Sequence, residues 1–151
     1  MTVLGIHHAG VTVGDIERAL GFYRDLLGLE LQVMVDRDEA SIGEIVGFPN
    51  AHLRIAYLTV PGQATRLEIL QYIRPVGTPI AFQTCDPGTG HVCFAVDGIH
   101  AIAERLRAAG VVMRSEHPVK IVQGPNRGAY ALYVRDPDGN AVELIQPPAA
   151  T

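Results

Sequence analysis

The chain has 151 residues, of which 48% are hydrophobic, and it carries a formal net charge of −4 at pH 7. This length and apolar content suffice for one globular domain with a buried core, or for two small and similar halves. The acidic balance argues against a general nucleic-acid-binding protein, which usually has an excess of basic residues. No apolar run approaches the roughly 20 residues that a membrane-spanning helix needs.

The N-terminal stretch and the cysteine content favour a cytoplasmic protein. The first residues, MTVLGIHH, lack a basic stretch followed by an apolar core, so we expect no signal peptide. The two cysteines, Cys85 and Cys93, are too few for a disulfide framework. We therefore expect the reducing cytoplasm as the location.

The first half of the chain, residues 3–73, alternates between strand-like and helix-like patterns. Runs of β-branched and apolar residues predict strands, and the helical spacing of Ile16, Leu20, Tyr23 and Leu27 predicts one helix. In chain order we expect a strand over 3–13, a helix that Asp15 caps and Gly28 ends, a strand over 29–35, a loop with a short helical turn over 36–50, and strands over 51–60 and 65–73.

The second half, residues 91–147, follows a stretch of different composition. Residues 74–90 contain three prolines and three glycines, which is typical of a linker or an ordered connection. After it we expect a strand over 91–96, a helix over 97–110, a strand over 111–116, a loop over 117–128, a strand over 129–136, a turn at Pro-Asp-Gly-Asn and a last strand over 141–146.

The order β-α-β-β-β therefore occurs twice, and the residues themselves support an internal repeat. HAGVTV (8–13) aligns with HVCFAV (91–96), and LEILQ (67–71) aligns with VELIQ (142–146). This pattern predicts an α+β fold class with two tandem βαβββ modules, 3–73 and 91–147, in a single domain over 1–151. Two four-stranded units that pack edge to edge would form one curved, mixed sheet.

The repeat matches two pairs of polar residues inside apolar strands. His8 corresponds to His91, and Glu68 corresponds to Glu143. A carboxylate buried alone costs several kcal/mol, so a glutamate in such a strand usually has a cationic partner. Two histidines and two glutamates would together bind a divalent metal, because mixed nitrogen and oxygen donors suit first-row divalent ions. The alternative is that each histidine has a structural role and each glutamate lies at a solvent-exposed edge of the sheet.

Alternation along the strands indicates which face carries this site. His8 shares its face with Gly10 and Thr12, and these small residues leave room for a ligand. His91 likewise shares its face with small residues, whereas the opposite faces carry bulky side chains that suit packing beneath a helix. His7 points away from the small-residue face, so we interpret it as a bystander.

Five further residues are candidates for substrate binding. His52 and Arg54 lie on one face of their strand and could bind an anionic substrate, although both could equally be solvated edge residues. Tyr72 and Tyr130 could hydrogen-bond a ligand. Tyr130 and Tyr133 fall on opposite faces of their strand, so at most one of these two lines the site. Cys93 lies on the His91 face, where we expect it to shape the pocket as a small hydrophobe rather than to act as a nucleophile.

Nearly the whole chain resembles the vicinal oxygen chelate superfamily, which includes glyoxalase I, methylmalonyl-CoA epimerase, extradiol dioxygenases and bleomycin-resistance proteins. The segments that carry the resemblance are IHHAGVTVGDIERALGFYRDLLGLE, RLEILQY, GHVCFAVDGIHAIAERLRAAGV and YVRDPDGNAVELIQPP. The resemblance implies an open, cupped sheet around a metal ion and usually a homodimer. It also implies that His8, Glu68, His91 and Glu143 are the metal ligands, as in the glyoxalase I arrangement.

This resemblance favours a metal-dependent lyase, isomerase or epimerase. A small substrate would chelate the ion (Zn, Ni, Co, Mn or Fe) through vicinal oxygens, and Glu68 or Glu143 would be the base that forms a metal-stabilised enolate. An extradiol-type Fe(II) dioxygenase is the first alternative. A binding or resistance protein without catalysis is the second, and the full set of four ligands argues against it.

Overall fold

Two compact units follow each other in the computed structural model, which describes residues 2–149, and they divide between Ile80 and Ala81. Each unit contains one four-stranded mixed sheet, in which three strand pairs include one parallel pair. This confirms the predicted α+β class with two tandem modules. The division falls inside the segment 74–90, which the sequence predicts as a linker.

The first unit has the predicted order of elements. In chain order these are β1 (His8–Val13), α1 (Ile16–Leu20) with a π-helical continuation (Gly21–Leu26), β2 (Glu30–Arg37), α2 (Ala40–Val46), β3 (His52–Thr59) and β4 (Arg66–Arg74). The strands lie side by side in the order β1-β4-β3-β2, and β1 runs parallel to β4.

The first strand is shorter than the predicted range 3–13. It begins at His8, which pairs with Arg66 at the start of β4, and the apolar residues Val3, Leu4 and Ile6 before it are exposed. A run of β-branched residues becomes a strand only where a partner backbone accepts its hydrogen bonds. Since β4 begins at Arg66, the pairing with β1 begins at His8.

The helix α1 begins as the sequence predicts. The carboxylate of Asp15 accepts hydrogen bonds from the backbone N–H groups of Glu17 (2.9 Å) and Arg18 (3.1 Å). The side-chain oxygen of Gln71, in β4, accepts a further bond from the N–H of Ile16 at 3.2 Å. Gly28 takes the left-handed conformation (φ 83°) directly after the helical segment, which confirms its predicted role in ending it.

The second unit repeats this plan in a shorter form. Its elements are β5 (His91–Ala95), α3 (Ile99–Ala108), β6 (Val119–Lys120), β7 (Tyr130–Arg135) and β8 (Ala141–Gln146). The strand order is β5-β8-β7-β6, and β5 runs parallel to β8. The two sheets thus have the same topology, as the internal repeat predicts.

The prediction of a strand over 111–116 is wrong for most of that range. Met113 forms a single bridge to Val134, and pairing with β7 resumes only in β6. Between them, side chains bind the backbone carbonyls in place of a neighbouring strand: Ser115 donates to the carbonyl of His117, and Arg107 donates to that of Glu116. These side-chain hydrogen bonds replace the ladder that a continuous strand would need.

Each sheet has one face covered by its helix and another that bears the candidate site residues. The helix α1 contacts β3 and β4, and α3 contacts β7 and β8. On the other face, His8, Gly10 and Thr12 are exposed, as are the corresponding residues of β5. Along β1 and β5, the predicted division into an exposed small-residue face and a more buried face of bulky residues is therefore confirmed. Among residues 2–149, no helix has the length and apolar character to span a membrane.

Candidate metal centre

In the first unit, His8 and Glu68 come together across the parallel pair β1–β4. Gly10 is the register partner of Glu68, and His8 lies two residues earlier on the same face of β1. The Nε2 atom of His8 is 3.5 Å from Oε2 of Glu68. The imidazole is 40% exposed and the carboxylate side chain only 13% exposed, so the glutamate is the more enclosed partner.

In the second unit, His91 and Glu143 form the equivalent pair. Cys93 is the register partner of Glu143 in the parallel pair β5–β8, and His91 lies two residues earlier. The Nε2 atom of His91 is 3.0 Å from Oε2 of Glu143. The two side chains are 42% and 18% exposed, which repeats the arrangement of the first unit.

These distances fit ligands of one divalent ion. Bonds from zinc to nitrogen or oxygen are about 2.0–2.2 Å long, so two ligand atoms on the same ion lie about 2.9–3.5 Å apart at tetrahedral or octahedral angles. Both pairs fall in this range. Within the described part of the chain, no three His, Cys, Asp or Glu side chains converge to hold a metal, and each unit brings together one histidine and one glutamate.

Tyr133, rather than the predicted Tyr130, lies beside the proposed ligands of the second unit. It lies opposite Glu143 in the pair β7–β8, and its hydroxyl donates a 2.9 Å hydrogen bond to Oε2 of Glu143. The same hydroxyl is 3.1 Å from Nε2 of His91. Burial and then the hydrogen bond to Glu143 raise the pKa of Tyr133 to about 12, so its hydroxyl stays protonated at neutral pH.

Tyr57 is the equivalent residue of the first unit. It lies opposite Glu68 in the pair β3–β4, and burial followed by its hydrogen bond to Glu68 raises its pKa. Each unit therefore has a histidine, a glutamate and a tyrosine on one face of its sheet. Both tyrosines could have been found from the sequence by pairing β3 with β4 and β7 with β8 as antiparallel hairpins. In that pairing Tyr57 lies opposite Glu68, and Tyr133 lies opposite Glu143.

Cys93 lies beside Glu143, on the face predicted for it. Burial, followed by the negative charge of Glu143, raises the pKa of the Cys93 thiol to about 11. A thiol with this pKa is almost entirely protonated at neutral pH and is a weak nucleophile. This supports the expectation that Cys93 shapes the pocket, which stays a prediction.

Arg54 and His52 are not brought together with Glu68. In β3, Tyr57 faces Glu68, and alternation places Arg54 on the opposite face, where it pairs in register with Gln71. Both side chains contact Asp36 instead: His52 Nε2 is 3.1 Å and Arg54 Nε is 3.5 Å from its Oδ1 atom. Binding of an anionic substrate by these residues stays a prediction.

The two predicted tyrosines lie in different surroundings. Tyr72 shares the Glu68 face and packs against a small core of Ile42, Ala51, Leu53 and Ile55. Tyr130 pairs with Gln146, on the face that α3 covers, and its ring contacts that of His100 at 5.1 Å between centroids. Tyr130 thus points away from Glu143, and Tyr133 takes the place on the site face.

Comparison with known proteins supports the family. The sequence pattern described as the Glyoxalase/Bleomycin resistance protein/Dioxygenase superfamily matches residues 5–144. A 2-epi-5-epi-valiolone epimerase of Actinomyces sp. is 32% identical over 149 residues, covering 97% of this chain and 81% of its own. A lactoylglutathione lyase of Haemophilus influenzae is 30% identical over 145 residues, covering 93% of this chain and 91% of its own.

A solved structure supports the fold. The glyoxalase family protein from Bacillus cereus superposes with a TM-score of 0.83 at 22% identity, covering 99% of this chain and 97% of its own. The likeness extends over both units, in agreement with the repeated βαβββ topology. From the match over residues 5–144, we conclude that the chain belongs to the glyoxalase/bleomycin resistance protein/dioxygenase superfamily.

Proposed function

We propose that this protein is a divalent-metal-dependent enzyme of the glyoxalase type, an isomerase, epimerase or lyase. Its substrate would be a small molecule with two vicinal oxygens, one of them a carbonyl. The observation that carries the proposal is the pair of His–Glu contacts at 3.5 and 3.0 Å, one in each unit, on the exposed small-residue face of each sheet.

The proposed ligands of the ion are His8, Glu68, His91 and Glu143. Two imidazoles and two carboxylates suit Zn, Ni, Co, Mn or Fe. When bound, the ion would supply Lewis-acid stabilisation of negative charge on a substrate oxygen.

Glu68 and Glu143 are the proposed bases. A base of this kind takes a proton from the carbon next to the carbonyl, and the resulting carboxyl group can return it to the same or the neighbouring carbon. The protonated hydroxyls of Tyr57 and Tyr133 each donate to one carboxylate and so restrict its rotation. This holds each carboxylate in a defined orientation for proton transfer.

The names of the relatives support proton transfer. The Actinomyces protein is an epimerase, and an epimerase inverts a stereocentre. Next to a carbonyl, inversion is achieved by removal and return of a proton, which is the step proposed for the two glutamates. The Haemophilus protein is a lyase, so the comparisons favour both reaction types.

The test combines metal analysis with proton exchange. Protein treated with a chelator is titrated with each candidate ion, and the exchange of substrate C–H protons with D2O is followed by proton NMR. The substrates are a hemithioacetal, a 2-alkyl acyl thioester and a polyhydroxylated cyclic ketone. We expect exchange that requires the metal, and loss of it in Glu68→Gln or Glu143→Gln. Glu30→Gln, an exposed glutamate at the start of β2, is the matched control.

Two outcomes would contradict the proposal. Oxygen consumption in the presence of Fe(II) would instead support an extradiol-type dioxygenase. Ligand binding that is unchanged in His8→Ala and Glu143→Ala, together with no bound metal in the wild-type protein, would instead support a binding protein without catalysis.

We also propose a homodimer. The outer strand β2 exposes Val33 and Met34, and the free edge of an outer strand can pair with a second chain. Light scattering coupled to size-exclusion chromatography measures the mass in solution. A dimer supports the proposal, and a monomer at all protein concentrations overturns it.

We propose that the protein works in the cytoplasm. Both cysteines are free thiols, which is usual in a reducing compartment. Cell fractionation followed by immunoblotting tests this location.

A further inference from the structure

His7 and His8 contact each other at the start of β1. Their Nδ1 atoms are 2.8 Å apart, and the rings meet edge to face, with 5.1 Å between centroids and an angle of 81°. His7 precedes the strand and its side chain is exposed. At this distance the two neighbouring imidazoles form a hydrogen bond.

The chemistry of the contact restricts where the protons lie. A neutral imidazole carries one N–H and one lone pair, so one Nδ1 atom must donate and the other must accept. The Nε2 atom of His8 is the one near Glu68, at 3.5 Å. For this Nε2 to bind a metal through its lone pair, the proton of His8 must be on Nδ1.

We propose that His7 is a positioning residue for the metal ligand His8. Its Nδ1 atom accepts the Nδ1–H of His8, which holds His8 in the tautomer and ring orientation that leave Nε2 free for the ion. Metal-binding histidines usually donate their other N–H to a carboxylate, a carbonyl oxygen or water, and here a second histidine is the acceptor. The inference rests on the proposed function and replaces the interpretation of His7 as a bystander.

The second unit has no counterpart of the His7–His8 contact. Gly90 stands at the position equivalent to His7, so His91 has no neighbouring imidazole on its N-terminal side. Its Nε2 atom instead contacts the hydroxyl of Tyr133 at 3.1 Å. Because this contact is to Nε2, the atom that would bind the ion, it is not the equivalent of the Nδ1 contact of His8. A change at His7 therefore has no counterpart at His91.

The experiment measures metal affinity in three variants. His7→Leu removes the acceptor, His7→Asn keeps an acceptor oxygen near the position of Nδ1, and His117→Leu changes an exposed histidine elsewhere. Metal-free protein is titrated with Co(II) in competition with a chromophoric chelator. We expect His7→Leu to weaken binding about 10–100-fold, His7→Asn to restore most of it, and His117→Leu to have no effect.

A second measurement uses no metal. The ring ¹⁵N chemical shifts of metal-free protein report the tautomer of each histidine. Glu68 near Nε2 favours the Nε2–H form of His8 when no ion is bound, so we expect His7 to make the share of the Nδ1–H form larger in wild type than in His7→Leu. Equal Co(II) affinity in wild type and His7→Leu, or a failure of His7→Asn to bind more tightly than His7→Leu, overturns the role of His7 alone. A wild-type protein that binds no Co(II) overturns the proposed function together with it.

Discussion

Tyr133 and Glu143 lie directly opposite each other in the antiparallel pair β7–β8, and the tyrosine hydroxyl donates a 2.9 Å hydrogen bond to the carboxylate. Tyr57 and Glu68 repeat this relationship in the first unit. In both units the tyrosine thus restricts a carboxylate that is mostly buried yet lies on the site face.

Removing the hydroxyl of Tyr133 should disturb the site more than the fold. Tyr133→Phe keeps the ring but leaves Glu143 without this donor, and a hydrogen bond to a charged group contributes about 1.5–3 kcal/mol. We expect Co(II) affinity to fall roughly 10-fold or more, with a smaller change in the urea midpoint. Tyr57→Phe is the matched variant in the first unit. Unchanged affinity in both variants would show that the tyrosines do not hold the carboxylates.

Substitution of a proposed ligand should lower the metal content, whereas substitution of a glutamate outside the site should not. His8→Ala and Glu143→Ala each remove a proposed ligand, so we expect both to lose most of the bound metal, as measured by elemental analysis after dialysis. Glu30→Gln should retain it, because Glu30 lies at the exposed start of β2. Full metal content in His8→Ala would contradict the proposed ligand set.

The thiol of Cys93 should react slowly in the metal-free protein. Its pKa is raised to about 11 by burial and by Glu143, so the neutral thiol is favoured and the thiolate appears only as the pH approaches 11. At pH 8 the thiolate fraction is about 100-fold smaller than for a thiol of pKa 9. In Cys85→Ser, iodoacetamide labelling followed by mass spectrometry should show a rate that still rises between pH 9 and pH 11. A plateau near pH 9 would disprove the raised pKa.

Gln146 should contribute to the stability of the second unit. Its side-chain oxygen accepts a 2.7 Å hydrogen bond from the N–H of Ile99 at the start of α3, where the N-cap residue Gly98 has no side chain to do so. Gln146→Leu leaves this donor unpaired, and we expect a loss of about 1 kcal/mol in the free energy of unfolding. Urea denaturation measures it. An unchanged midpoint would mean that water replaces the glutamine.

Most of the module plan could be read from residue patterns. The Asp15 cap, the glycine that ends the first helix and the alternation around His8 and His91 are local features, and the structure confirms them. The internal repeat matches His8 with His91 and Glu68 with Glu143 from the sequence alone. Local patterns suffice here because capping, helical spacing and strand alternation depend on residues close together in the chain.

What the patterns could not supply depends on which strands become neighbours. The start of β1 at His8 follows from its pairing with β4, and the choice of Tyr133 over Tyr130 follows from its register against Glu143. The position of Arg54 on the face opposite Glu68 has the same origin. Alternation tells which residues of one strand share a face, but only the register between strands far apart in sequence decides which faces coincide, because a shift by one residue turns every side chain to the other side.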